Sequence, residues 1–355
     1  MWLIVNSGSS SVKLAVFDDG LAEVARATVE GVAAGGHPAA LAEGLRKAGV
    51  AVADLTAAAH RVVHGGAAFR EACRVTDAVL AGIEACVPLA PLHNPANLMG
   101  IRAVVDLVPD LPQYASFDTA FHATNPEVAV TYALPLAERE RGIRRYGFHG
   151  ISYAALLRVL GGRHAVPRRL LACHLGNGAS LCAILDGQSV ATTMGYSPLD
   201  GLTMGTRTGS IDGNAVLRLA ELHGIEGAAR ILNRESGLLA LGGSNDMRQI
   251  GPGSFAVEHF IYWAVRHAGS MVAAMGGLDA VVFTGGIGEN DPTVRLGIAR
   301  GLSYLGAVVD EAANARNEAV LQGAASTVAI WTVPADEERQ IALEATVVRA
   351  GEGRR

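Results

Sequence analysis

Lysine is almost missing from this 355-residue chain. Of 29 basic residues, only Lys13 and Lys47 are lysines, and the rest are arginines. Lys13 lies inside a Ser/Gly segment. Either chance has spared it, or its site needs a compact ammonium in place of a guanidinium fork. Cysteine is also scarce: Cys73, Cys86, Cys173 and Cys182 show no C-x-x-C spacing. A reduced, cytoplasmic chain without a cysteine metal site is therefore expected. Charged residues are few, at 18%, against 50% apolar residues, which excludes disorder and coiled coil. The net charge of −5 offers no basic surface for nucleic acid. No long apolar run occurs. The charge-free stretch His267–Leu278 is short and rich in Gly and Ala, so no membrane partner is expected. Met1–Asn6 is too short for the apolar region of a secretory leader. The chain also lacks G-x-x-x-x-G-K-[S/T] and G-x-G-x-x-G, so it is neither a P-loop enzyme nor a fingerprint dinucleotide binder.

Glycine, in contrast, is abundant: 43 residues, enough for many tight turns and backbone-lined sites. The length suits about two domains. Trp2–Asn6 reads as a strand, Ser7–Ser10 breaks it, Val12–Phe17 resumes it, and Asp18-Asp19-Gly20 turns the chain. Leu170–Leu175, Gly176–Ala179, Ser180–Leu185 and Asp186-Gly187 repeat that order, with a third strand over Ser189–Met194. The spacing of the copies is far too long for a solenoid, so a duplicated domain is predicted, with a cleft between the copies. Helical periodicity covers Pro38–Ala48, Asp77–Cys86, Ile151–Leu160 behind a cap at Ser152, Asn214–Leu222, Gly227–Leu232 and Ser254–Met275. The last of these is apolar enough for a core or an interface. Strands are expected at Ala280–Thr284 and Val328–Val333, and a final helix over Asp336–Val348. The class is α/β in two lobes.

Three Gly/Ser loops follow strands: Asn6–Ser11, Gly176–Ser180 and Gly285–Asn290. Small residues let backbone N–H groups converge on phosphate oxygens, and three such loops favour a nucleotide. Charged residues set in small or apolar surroundings are the other signal. Arg61, Asp118, His149 and Arg207 stand in such segments. A buried charge is paired or functional, and a structural salt bridge remains an equal reading for each. His60 and His64 lack the glutamate of H-E-x-x-H and sit in a β-like segment, which argues against zinc.

The motifs Asn6–Lys13, His60–Gly66, Pro91–Pro95, Phe117–His122, Tyr146–Gly150, His174–Gly178, Met204–Arg207, Ser244–Arg248 and Phe283–Asn290 occur in this order. The sequence thereby resembles the acetate kinase family nearly end to end. That resemblance implies an α/β fold of two duplicated actin-like ATPase (ribonuclease H-like) domains with an interdomain cleft. It implies a lobe of residues 1–122 plus 337–355 on the carboxylate side and a nucleotide-binding lobe over 123–336. The implied reaction is reversible phosphorylation of acetate by ATP to acetyl phosphate and ADP. The implied partners are a small carboxylate and ATP, with Mg2+ (or Mn2+) as the metal, in a homodimer.

By motif, Asn6 and Glu337 match the metal site. Lys13 and His174, Leu175, Gly176, Asn177 and Gly178 match phosphate contacts. Asp246, Met247, Arg248, Gly286, Ile287, Gly288, Glu289 and Asn290 match the nucleotide pocket. Arg61 matches the carboxylate-binding arginine, and Val63, Leu92, His93 and Pro198 match the acyl pocket. Asp118, His149, Arg207 and Arg61 match the catalytic group. Asp336 stands where asparagine usually precedes the metal glutamate, and Gly237–Asp246 is one residue shorter than the family pattern.

The chemistry suits these residues. A carboxylate nucleophile has a pKa far below 7 and needs no general base. In-line transfer then depends on alignment and on stabilising the moving phosphoryl group. Arg61 and Arg207 would hold oxygens as planar forks, His149 would donate to an equatorial oxygen, and Asp118 would orient an arginine. Three rivals stand beside this reading: a propionate or butyrate kinase of the same branch, a catalytically silent nucleotide-binding interaction protein, and a carbohydrate kinase of the wider fold, which would need a base for a hydroxyl.

Overall fold

The computed structural model describes residues 1–33 and 35–353. They pack as two compact units. The first comprises Met1–Ala123, Phe148–Ala155 and the described residues from Asp336 onward; the second comprises Thr124–Gly147 and Leu156–Ala335.

The first unit is built on a sheet of six strands: β1 (Trp2–Ser7), β2 (Ser11–Phe17), β3 (Glu23–Glu30), β4 (Ala57–Val62), β5 (Cys73–Arg74) and β6 (Gln113–Phe117). Their order is β3-β2-β1-β4-β6-β5. β1 pairs antiparallel with β2 and parallel with β4, and β4 runs parallel to β6. Strand alternation splits the apolar residues between two faces. Leu3, Val5, Val12, Leu14 and Val16 pack with Leu41 and Leu45 of helix His37–Ala48 and with Ala103 and Val104 of helix Asn94–Leu107. Trp2, Ile4, Ala15 and Phe17 pack on the opposite side with Ile341, Ala342 and Ala345 of helix Glu337–Glu352. Burying each large side chain contributes about 1.5–3 kcal/mol. This face pattern carries Asn6, Lys13, Arg61 and Asp118 at or near strand ends, beyond the apolar layers.

The second unit repeats the plan with β7 (Arg169–Leu175), β8 (Ala179–Leu185), β9 (Gln188–Thr192), β10 (Ala280–Thr284) and β11 (Ala329–Thr332). Its order is β11-β10-β7-β8-β9. Three consecutive antiparallel strands are followed by two parallel ones, as in β3-β2-β1-β4-β6. The duplication read from the sequence is thus a duplication of sheet connectivity. Helix Phe255–Met275 buries Ala256, Phe260, Ala264 and Ala268. It starts at Ser254, whose hydroxyl accepts from the Val257 amide, and stops at the left-handed Gly276.

The helices expected at Asn214–Leu222 and Gly227–Leu232 are both present within Gly213–Arg234, parted where Gly224 leaves helical geometry at φ 72° and ψ 168°. Two local expectations change. Ser152 lies inside helix Gly150–Gly161 and not at its cap. Gly285–Asn290 is a helical turn, not an open loop. No described helix is long and apolar enough to cross a membrane. Cys86, Cys173 and Cys182 are buried and Cys73 half-buried. Burial pushes the Cys73 thiol up to about 11 and the Cys182 thiol up to about 12.

Candidate active site

Within the first unit, the candidate residues gather around Arg61 on β4. Its Nη2 donates to Asp118 Oδ2 at 2.6 Å, and its Nε to the same oxygen at 3.1 Å. Its Nη1 donates to Asn6 Oδ1 at 3.4 Å. Asp118 is reached directly from β6, its amide donating to the Val62 carbonyl at 3.0 Å. Its side chain is 2% exposed. Burial works against the charge on Arg61, and the carboxylates of Asp118 and then Glu337 outweigh it, so the guanidinium pKa is raised.

Asn6 and Lys13 face each other across the β1–β2 register. Glu337 opens the C-terminal helix. Burial raises its pKa, while Arg61, Lys13 and the Ser152 hydroxyl pull the other way. Ser152, expected as a helix cap, instead supports this carboxyl. The amide oxygen of Asn6 and the half-buried carboxylate of Glu337 are hard oxygen donors that suit a divalent cation keeping most of its waters. Among the described residues no group of three or more His, Cys, Asp or Glu could hold a metal.

The end of β4 is held by two asparagines that the sequence reading did not single out. Asn97 accepts from the Val63 amide at 3.0 Å and donates to the Ser7 carbonyl at 2.8 Å. Asn94 accepts from the His64 amide at 3.1 Å and donates back to the His64 carbonyl at 3.0 Å. Both are buried on the first turn of helix Asn94–Leu107, which His93 precedes and Pro95 opens. Val63 is buried and Leu92 is 41% exposed. The Pro91–Pro95 motif was the available signal for these asparagines, but their partners lie 30 to 90 residues away.

His149 takes a left-handed backbone, φ 59°. Such a conformation costs a non-glycine residue of order 1–3 kcal/mol and persists only when its flanks are fixed. Here they are. The Gly150 amide donates to the Asp118 carbonyl at 2.8 Å. His122, buried, donates from Nε2 to the Phe148 carbonyl at 2.9 Å. A Cβ on Gly150 would collide with the Asp118 carbonyl and stand 2.8 Å from Phe121 Cβ, so only glycine fits.

In the second unit, β7 and β10 run parallel and end side by side, with His174 opposite Thr284. The turns that follow them, Gly176–Gly178 and Gly285–Asn290, are neighbours. A Cβ on Gly285 (φ 80°) would stand 2.8 Å from the Leu175 carbonyl, whereas Gly286 faces open space. Glu289 Oε1 accepts from the Gly285 and Ala335 amides, each at 3.0 Å. Asn290 donates to the Gly286 carbonyl at 3.0 Å. Ile287 lies within this turn, and the Gly288 carbonyl accepts from the fully buried Arg295 at 3.0 Å.

Asn177 meets the segment that carries Arg207, since the Gly205 amide donates to its carbonyl at 2.9 Å. Arg207 Nη1 donates to the Pro198 carbonyl at 2.8 Å, which brings these two candidates together. Met247 is buried between the half-buried Asp246 and the exposed Arg248, whose side chains pair at 2.7 Å. Hydrogen bonds from Arg248 hold the Asp246 carboxyl below its usual range. This unit therefore offers glycine backbone and an arginine to an anionic ligand, while the first offers a guanidinium–carboxylate pair and oxygen donors.

Comparisons with known proteins identify relatives of this chain. The sequence profile of the acetokinase family matches residues 39–343. Acetate kinase of Pseudomonas aeruginosa is 44% identical over 382 aligned positions, covering 96% of this chain and 97% of that one. Propionate kinase of Citrobacter rodentium is 44% identical over 308 positions, 82% of this chain and 76% of that one. Among solved structures, acetate kinase of Porphyromonas gingivalis aligns with a TM-score of 0.88 at 34% identity, covering 98% of this chain and 99% of that one. A propionate kinase from Francisella tularensis aligns with a TM-score of 0.89 at 34% identity, covering 97% and 98%.

Proposed function

Because the chain belongs to the acetokinase family, we propose that it phosphorylates acetate with ATP, reversibly, to give acetyl phosphate and ADP. The likeness over nearly the full length of both chains carries this reading. Arg61 and Asp118 give it a mechanism. The nucleophile arrives ionised, so the protein's task is to aim it and to stabilise charge on the phosphoryl group. Arg61, fixed by Asp118, grips the acetate carboxylate. Val63, Leu92, His93 and Pro198 bound the methyl group. His149, held in its left-handed turn, donates to a phosphoryl oxygen, and Arg207 supports the same charge.

The nucleotide phosphates lie on Lys13, His174 and Leu175–Gly178, and the rest of ATP on Asp246–Arg248 and Gly286–Asn290. Asn6 and Glu337 would hold Mg2+, or Mn2+ in its place, which when bound offsets phosphate charge. Most of the carboxylate contacts belong to residues 1–122 with 337–355 and most of the nucleotide contacts to residues 123–336; Pro198 and Lys13 are the exceptions. The enzyme works as a cytoplasmic homodimer.

The similarity to propionate kinases favours one second reading, a C3 acid as the better substrate. One methylene is worth only about 1–3 kcal/mol in an apolar pocket. A hydroxamate assay with purified protein, ATP and Mg2+ decides it. Acetate giving the highest kcat/KM supports the proposal, and a higher value for propionate or butyrate replaces the substrate while keeping the chemistry. A folded protein that makes no acyl phosphate from any of the three acids overturns the proposal.

A further inference from the structure

We propose that Arg145 and Asp200 are positioning residues that fix the loop carrying Pro198 and Arg207. The inference deepens the function proposed above and rests on the roles given there to those two residues. Arg145 has one guanidinium corner committed to a cluster of acceptors. Its Nη1 donates to the carbonyls of Thr193 at 3.0 Å and Met194 at 2.9 Å, and to Asp200 Oδ2 at 3.2 Å. These carbonyls directly follow β9, so the arginine ties the exit from that strand to the loop beyond it.

Asp200 passes the constraint on. Its Oδ1 accepts from the Ser210 hydroxyl at 2.7 Å and from the Gly201 amide at 2.8 Å. The Ser210 amide donates to the Gly201 carbonyl at 2.9 Å. The two ends of the 200–210 segment are therefore cinched at one carboxylate, with Arg207 inside the closed stretch. The entry is fixed as well. Tyr132, whose ring lies 5.6 Å under the Arg145 guanidinium, accepts from the Tyr196 amide at 3.0 Å.

Two glycines of this stretch have no room for a side chain. A Cβ on Gly195 would lie 2.5 Å from Tyr132 Oη and 2.7 Å from Asp200 Oδ2. One on Gly209 would lie 2.5 Å from the Leu202 carbonyl.

This ion pair is not a core element. The side chains are 24% and 35% exposed, and such pairs add little to global stability. Both residues also line a cavity of about 350 Å³ with Ser210 and His267, so the guanidinium site is open to small molecules. An effect on catalysis without an effect on folding is the expected signature. Misplacing a reacting group by an ångström costs about 10²-fold.

The experiment uses the full chain with Arg145→Ala, Arg145→Lys and Asp200→Asn. It measures kcat and KM for acetate and for ATP, the acetate-to-propionate ratio, the thermal midpoint, and hydrogen exchange of amides 196–210. The expected result is a loss of about 10²-fold in kcat/KM for acetate with KM for ATP and the thermal midpoint held. The acetate-to-propionate ratio should shift, Arg145→Lys should recover part of the loss, and added guanidinium ion should partly restore Arg145→Ala. Unchanged kinetics and unchanged exchange would overturn the proposal, as would a parallel loss for acetate and ATP with a fallen midpoint. If wild-type protein makes no acyl phosphate, the proposed function fails on its own, and exchange over 196–210 decides the positioning role. Faster exchange confined to that loop in the variants supports it, and unchanged protection overturns it.

Discussion

Arg61 meets the Asp118 carboxylate through two nitrogens, Nη2 at 2.6 Å and Nε at 3.1 Å, and so leaves Nη1 turned toward Asn6. The carboxylate sets the plane of the guanidinium before any substrate arrives. Its burial makes the pair sensitive to the loss of either member, at about 3–5 kcal/mol when one charge is left without its partner.

Asp118→Ala is therefore expected to lower kcat/KM for acetate by about 10²-fold or more, through misorientation of Arg61. KM for ATP should change far less, because the groups assigned to the nucleotide phosphates in the second unit are untouched. Steady-state kinetics with each substrate varied would check it. A rise in both KM values together would instead place Asp118 in the folding of the whole first unit.

On the nucleotide side, Gly205 is the sharpest probe. A Cβ there would overlap the Asn177 carboxamide and crowd the Asn245 carbonyl at 3.2 Å. Gly205→Ala should displace the Gly176–Gly178 turn at a cost of about 1–3 kcal/mol. The expected outcome is a raised KM for ATP with the acetate-to-propionate ratio preserved. A normal KM for ATP would remove Asn177 from the phosphate contacts.

Two histidines make the first unit acid-sensitive. Burial pushes His60 and His122 down to about 4, although each donates to an oxygen, His60 to Gln113 at 2.7 Å and His122 to Phe148. In the unfolded chain they take up protons near 6.5. Stability is then complete above 6.5 and is lost as pH falls toward 4, by roughly 3 kcal/mol per histidine. Thermal midpoints measured from pH 7 to 5 should fall, and His60→Asn, although less stable throughout, should show a shallower fall. Parallel slopes for the two proteins would contradict this.

How much of this was legible depends on where each residue's partner lies. The hairpins could be read because their signals are local. Asp18 folds back through its own carboxylate onto the Gly20 and Ala22 amides, and Gly187 takes a positive φ. The break between the helices on either side of Gly224 is local too, since glycine readily takes the positive φ that parts them. Ser152 was misplaced because the start of its helix is set elsewhere. The Asp118 carbonyl receives the Gly150 amide, and no periodicity in 151–160 reports that. Asn94 and Asn97 escaped for the same reason. Their partners are Ser7, Val63 and His64, so their role appears only when β1, β4 and the helix are brought together.

The four thiols illustrate a different consequence of burial. Three are buried and Cys73 is half-buried, and each is shifted away from its reactive, ionised form. A cysteine introduced on the surface would outcompete them for maleimide at neutral pH. A dye or spin label could then be attached at one chosen position while the native cysteines stay in place.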